Sequence, residues 1–218
     1  MKILVLSCDK NTELFEPFRH CLEKYWPNHP EVYYLMNTIR NPFYKTICID
    51  YPLEEWTKEV RECLEQIPDN QILIMIDDCF IRRPVDEERI KYASEILTGN
   101  VALINFEKSW CDSDTECGLN GFKKRKNGAD YVVSILCGLW QKDKLMKVLE
   151  PISNPWDVEY NQNHCDFDYL INSGDYIIDW GYRTFTECNI VKGKWTHSCK
   201  DFLNSEGLSV NYKIKGFL

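Results

Sequence analysis

The sequence predicts an α/β fold with a mainly parallel central sheet flanked by helices. Three observations carry this reading. The apolar runs "KILVLSCD" (2–9), "QILIMIDD" (71–78) and "VALINFE" (101–107) are continuous rather than alternating, as expected of strands buried on both faces. Amphipathic helical patterns separate them, the order that produces a parallel sheet under helical cover. No internal repeat or low-complexity tract interrupts the series.

The 218 residues suffice for one good core, so a single domain over 1–218 is expected. A hydrophobic content of 44 % excludes a disordered chain, and the net charge of −8 argues against a nucleic-acid partner. No apolar run reaches the length of a membrane span. The opening "MKILVLSC" is too short for a leader and reads as a first strand. Eleven cysteines, an odd number with no C-x-x-C pair, lie mostly in apolar segments, which predicts reduced core thiols and a cytoplasmic location.

In chain order, "LFEPFRHCLEKYW" (14–26) sets Leu14, Phe18, Leu22, Tyr25 and Trp26 at helical spacing. Pro17 fits only near the first turn, so this helix begins around Glu16. "EVYYLM" (31–36) and "TICID" (46–50) read as strands. "PLEEWTKEVRECLEQI" (52–67) is a helix with Trp56, Val60, Leu64 and Ile67 on one face. A helix in 86–97 precedes the strand at 101–107. Residues 108–130 are polar and long for a plain connection, and predict a flexible loop. "YVVSILCGLW" (131–140) and "DKLMKVLE" (143–150) resume strand and helix, and the last third mixes short elements.

Two of these strands end in acid, at Asp9 and at Asp77–Asp78. Ligands of open α/β sheets bind outside the carboxyl ends of strands, so one shared crevice is expected there. Read from the residues alone, Asp9 could cap the following helix. G-x-G-x-x-G, P-loop, G-x-S-x-G and HExxH patterns are all missing, which removes the main support for dehydrogenase, kinase, serine hydrolase and zincin readings.

With "IDDCF", "GLWQKDKL", "NPWDVEYNQ" and "IVKGKW" in this order, the chain resembles small GT-A-type glycosyltransferases of the kind that build bacterial or viral surface glycans. The resemblance spans roughly 2–200. It implies a nucleotide-binding first half (1–107) and a mixed acceptor-side second half (131–218). It also implies a nucleoside-diphosphate sugar as donor and a glycan or glycolipid as acceptor, with the enzyme cytoplasmic or peripheral at a membrane. Asp9 and Lys10 would meet the base or ribose, and Asp77, Asp78 and Lys194 the diphosphate.

In that family the acidic strand end is a D-x-D motif holding Mg²⁺ or Mn²⁺ against the diphosphate. Here its positions fall on Ile76, Asp77 and Asp78, so the first carboxylate is missing and metal dependence stays open. Asp78 is the candidate metal ligand, with His197 completing the shell as a C-terminal histidine does in some relatives. Successive strand side chains point to opposite faces, so Asp77 and Asp78 should share one ion only if the strand bends there.

On the acceptor side, Trp156 offers a face for a sugar ring. Asp157 and Glu159 would share a side if "NPWDVEYNQ" is an extended turn, with Glu159 the first candidate base and Asp157 the second. Trp140 and His164 complete the substrate contacts that the resemblance implies; His164 could equally cap a helix. The alternatives are a non-catalytic sugar- or nucleotide-binding protein of the same fold, and a sugar nucleotidyltransferase. The latter would want a glycine-rich loop after the first strand, where "SCDKNTELF" has no glycine.

Overall fold

The apolar runs become strands of one nine-stranded sheet. They are β1 (Lys2–Leu6), β2 (Val32–Met36), β3 (Lys45–Cys48), β4 (Gln71–Ile76), β5 (Val101–Lys108), β6 (Thr115–Glu116), β7 (Phe122–Lys124), β8 (Gly138–Gln141) and β9 (Asp168–Asn172), arranged β3-β2-β1-β4-β8-β5-β9-β7-β6. This computed structural model describes residues 1–108, 114–126, 132–150, 153–160, 166–181 and 189–218. The first four strands in that order are parallel. β8 runs antiparallel to both β4 and β5, β5 and β9 are parallel, and β7 and β6 are antiparallel. The expected parallel sheet therefore holds for the first half, and the second half is mixed.

The chain divides into two compact units. The first comprises Met1–Asp9, Pro30–Ile76 and Asp86–Ile177, and contains the whole sheet. Its helices are α2 (Trp56–Glu65), α3 (Glu87–Ile96), α4 (Lys142–Leu149) and α5 (Pro155–Tyr160), while α1 (Phe15–Tyr25) belongs to the second unit. Val60, Cys63 and Leu64 of α2 and Leu145, Val148 and Leu149 of α4 form one apolar cluster with Leu4, Leu6, Ile72, Ile74 and Leu103 from the strands. Each fully buried aliphatic side chain stabilises the fold by about 1.5–3 kcal/mol. Asp86 caps α3, its carboxylate accepting the Arg89 amide at 3.0 Å.

The second unit comprises Lys10–His29, Asp77–Val85 and Ile178–Leu218. It holds α1 (Phe15–Tyr25), the hairpin β10 (Ile190–Val191) and β11 (Lys194–Trp195), and α6 (His197–Ser205). Pro17 sits in the first turn of α1, where its missing N–H costs no hydrogen bond. The hairpin turns on Lys192 and Gly193, both at positive φ (50° and 74°), the conformation a two-residue hairpin turn requires. Trp195 is fully buried, with Phe80 stacked at 6.4 Å and Tyr212 edge-on at 5.4 Å. Glu206 accepts from Lys24 (2.6 Å) and Tyr25 (2.7 Å), tying α1 to the end of α6.

Three expectations change. Residues 114–126, read as part of a flexible loop, contain the β6–β7 hairpin, and β7 pairs with β9 as a sheet strand. The strand expected over 131–140 is confined to Gly138–Gln141 among the described residues. "NPWDVEY" is helical rather than extended, because Asn154 accepts the Asp157 amide at 3.0 Å and Pro155 opens the helix. Among the described residues, eight cysteines are free and no helix is long and apolar enough to cross a membrane.

Candidate functional site

β1 lies between β2 and β4, all three parallel, with Leu6 opposite Leu35 on one side and Ile76 on the other. The chain passes from β1 to β2 and β3 on one side, then crosses back to β4 on the other. That makes the carboxyl ends of β1 and β4 a topological switch point, the place where open α/β sheets bind ligands.

Asp9 follows β1 but does not offer a free carboxylate. Its Oδ1 accepts the amides of Thr38 and Ile39 at 3.0 Å each, and its Oδ2 accepts the Thr38 hydroxyl at 2.5 Å. Its own amide donates to Asn37 Oδ1 at 3.2 Å. Partial burial raises the Asp9 pKa, but the Thr38 hydroxyl and these amides outweigh it and hold the carboxyl below its ordinary value. Asp9 thus clamps the chain leaving β2, a role other than the expected base contact or helix cap. Lys10 is exposed, and its carbonyl accepts from Lys215 at 3.2 Å.

Within the second unit, Asp77 and Asp78 lie in a turn, since β4 stops at Ile76. The strand does bend there, and the two carboxylates interact. Asp77 is 5 % exposed and accepts the Asn11 amide at 2.8 Å. Burial first, then the charge of Asp77, pushes Asp78 up to about 7, against its own amide and the charge of Lys215. The Asp78 carbonyl accepts from Asn189, whose Oδ1 takes Arg82 Nη2 at 2.7 Å. The Lys215 ammonium reaches Asn11 Oδ1 (2.7 Å) and Glu13 Oε1 (3.0 Å).

A second cluster lies in the first unit at the carboxyl end of β5. Burial and the charge of Glu159 push Glu107 up to about 7, with Asn105 and the charge of Arg125 opposing. Burial raises Glu159 as well, against hydrogen bonds from Ser134 (3.3 Å) and the Ile135 amide. Cys137, beside them at the start of β8, adopts φ 42° while its carbonyl accepts the Phe106 amide at 3.1 Å. A left-handed cysteine is the kind of held strain that collects around functional sites. Burial and Glu107 push its thiol well up, so it is no nucleophile.

Glu107 is the residue sequence reasoning missed. It ends an apolar strand as Asp77 does, and that signal was present in "VALINFE". Asp157 and Glu159 face different sides of α5, since residues two apart on a helix do not share a face. Asp157 and Asn154 bond reciprocally, so Asp157 is spent on the helix cap and the proposed base role rests with Glu159 alone. Trp156 is 58 % exposed. Trp140 is fully buried with Tyr169 edge-on at 6.5 Å, a core residue rather than the expected substrate contact. His164 lies outside the described residues.

The expected divalent-metal shell does not fit the residues present. His197 is exposed at the start of α6, its ring stacked 4.9 Å from that of Phe217. Lys194 is exposed on β11. Among the described residues, no three His, Cys, Asp or Glu side chains gather as a metal-holding group.

No protein-family model matches the chain, and no curated protein matches it in sequence. Solved structures are similar to it in fold. A nucleotidyl transferase from Methanothermobacter is 10 % identical, over 94 % of this chain and 98 % of its own, with a TM-score of 0.49. The galactosyltransferase LgtC, solved with donor and acceptor sugar analogues, is 13 % identical over 77 % of this chain and 67 % of its own, with a TM-score of 0.46. The bifunctional IspDF from Campylobacter jejuni is 10 % identical over 80 % of this chain, with a TM-score of 0.42, and the chain spans 50 % of its length. At these identities the likeness concerns the fold and does not choose between the two chemistries.

Proposed function

We propose that the protein is a glycosyltransferase that moves a monosaccharide from a nucleoside-diphosphate sugar to a hydroxyl of a glycan or glycolipid. The observation that supports it is the pairing of Glu159 with Glu107. Both half-buried carboxyls are raised by burial, and the charge of Glu159 raises Glu107 further. The charge of an ionised Glu159 favours the proton on Glu107. An ionised carboxylate with a raised pKa is what a base acting near neutral pH requires.

On this reading the donor nucleotide lies at the carboxyl ends of β1 and β4. The acceptor hydroxyl gives its proton to Glu159 as its oxygen bonds to the sugar's anomeric carbon. The bond from that carbon to the diphosphate oxygen breaks, and the nucleoside diphosphate leaves with the electron pair. Exposed Trp156, three residues before Glu159 on α5, offers the acceptor ring a stacking face. A nucleotidyltransferase is less well supported, because a 3-10 helix (Asp9–Leu14) stands where its glycine-rich loop would be.

The test is a panel of nucleoside-diphosphate sugars assayed for transfer and donor hydrolysis with wild type and Glu159→Gln. Loss of turnover by about 10²-fold or more in the variant is expected. Full transfer by Glu159→Gln with every donor would overturn the reading. Nucleotide binding without turnover across the panel would point instead to a non-catalytic sugar-nucleotide-binding protein.

A further inference from the structure

We propose that Lys215 is the resident cation of the Asp77–Asp78 turn and that this turn takes no divalent metal. The proposal stands on the second unit alone. The ammonium nitrogen of Lys215 lies 2.7 Å from Asn11 Oδ1, 3.2 Å from the Lys10 carbonyl and 3.0 Å from Glu13 Oε1. The first two contacts are hydrogen bonds and the third is an ion pair. The side chains of Lys215 and Glu13 are only 10 % and 8 % exposed, so this is a built interior site and not a surface pair.

Asn11 carries the arrangement to the acids. Its oxygen accepts from Lys215 and its nitrogen donates to Asp77 Oδ2 at 2.8 Å, leaving Asn11 no freedom to turn and ligate an ion. Lys215 pairs directly with Glu13 and reaches Asp77 through Asn11. A Mg²⁺ or Mn²⁺ ion demands several oxygen ligands at about 2.0–2.2 Å in near-octahedral array. Here the first D-x-D position is Ile76, Asp77 is engaged by Asn11, and Asn11 is in turn held by the ammonium of Lys215.

The tail holds Lys215 in place. The amide of Trp195 donates to the Gly216 carbonyl, and the amide of Leu218 donates to the Trp195 carbonyl, both at 3.0 Å. Phe217 stacks on His197, the residue that the resemblance made a metal ligand, and packs 5.4 Å from Tyr212. Gly216 at φ 67° provides the bend that places its neighbour's side chain.

The test titrates the full chain at pH 8 with Mn²⁺ alone, following free Mn²⁺ by electron paramagnetic resonance. Wild type and Lys215→Arg are expected to hold no Mn²⁺ more tightly than about 1 mM. Lys215→Met, with its carboxyls no longer neutralised, is expected to bind Mn²⁺ at least about tenfold more tightly than wild type, and Asp78→Asn in that background removes the gain. Stoichiometric submillimolar Mn²⁺ binding by wild type that Asp78→Asn abolishes would overturn the proposal. Calorimetry with UDP and GDP then separates the two ideas. Affinity unchanged by EDTA supports the resident cation, and affinity lost with EDTA overturns it. Binding of neither nucleotide counts against the donor reading, while the Mn²⁺ titration still decides the role of Lys215.

Discussion

Asn11 stands between Lys215 and Asp77, its side-chain oxygen 2.7 Å from the ammonium and its nitrogen 2.8 Å from the carboxylate. One amide therefore satisfies two buried charged groups at once. Removing it leaves both short of a partner, and an unsatisfied buried polar group costs more than a lost hydrogen bond returns. Asn11→Ala is expected to destabilise the protein by about 2–4 kcal/mol in urea unfolding, with no change in denaturant slope. Asn11→Asp adds a carboxyl facing Asp77 and removes the donor to it, so its loss should grow as pH rises from 5 to 8. A neutral result for Asn11→Ala would show that the network is not built as described.

Gly181 and Arg82 give a test of shape. Gly181 has φ 79°, and a Cβ there would stand 2.3 Å from the Arg82 guanidinium carbon. That guanidinium donates to Asn189, which in turn donates to the Asp78 carbonyl. Gly181→Ala is expected to cost about 3 kcal/mol or more, from left-handed strain plus displacement of Arg82. Gly99→Ala, at φ 53° with nothing within 4 Å of the new carbon, carries the backbone strain alone and should cost about 1–2 kcal/mol. Equal losses in the two variants, read as melting-temperature shifts, would show that Arg82 yields freely.

Much of the sheet was legible in the sequence because burial on both faces leaves continuous apolar runs. "KILVL", "QILIMI" and "VALINF" all became strands, and the helix around Val60 and Leu64 packs on them as its periodicity required. The mixed half was not legible. β8 enters antiparallel between β4 and β5, a pairing settled by long-range packing that leaves no local trace. "NPWDVE" was misread although its signals were local: an asparagine cap followed by proline at the first helical position. Glu107 was readable as an acid ending a buried strand. Lys215 was not, because a lysine in a terminal stretch announces nothing until the fold carries it to Asn11 and Glu13.

Glu59 predicts how stability varies with pH. It is 6 % exposed on α2, and burial followed by the charge of Asp50 pushes it from 4.5 up to about 7. Between those values the folded chain holds a proton that the unfolded chain has released. Stability therefore falls as pH rises through this window and is lower above it. Asp78 and Glu107, both raised to about 7, act in the same direction. Glu59→Gln removes one of the three contributions. It is expected to match wild type near pH 5 and exceed it at pH 8 by on the order of 2 kcal/mol, about 4–8 °C in melting temperature. A variant no more stable at pH 8 than at pH 5, relative to wild type, would show that Glu59 ionises without penalty.

The last prediction separates the two glutamates of the first unit. The charge of Glu159 raises Glu107, and like charges in a shared site titrate as a pair. Replacing Glu159 with glutamine removes that charge but leaves the burial of Glu107 intact. Carbon-13 NMR of labelled glutamate side chains should show the Glu107 midpoint, near 7 in wild type, moving down in Glu159→Gln while staying above the ordinary 4.5. Ser134→Ala supplies the opposite shift. It removes a hydrogen bond that favours ionised Glu159, so Glu159 should titrate at higher pH and the acidic limb of any transfer-rate profile should move up with it. A Glu107 midpoint unmoved by Glu159→Gln would mean that the two carboxyls are not coupled. Glu159 would then lose the neighbour that makes it the base of the pair.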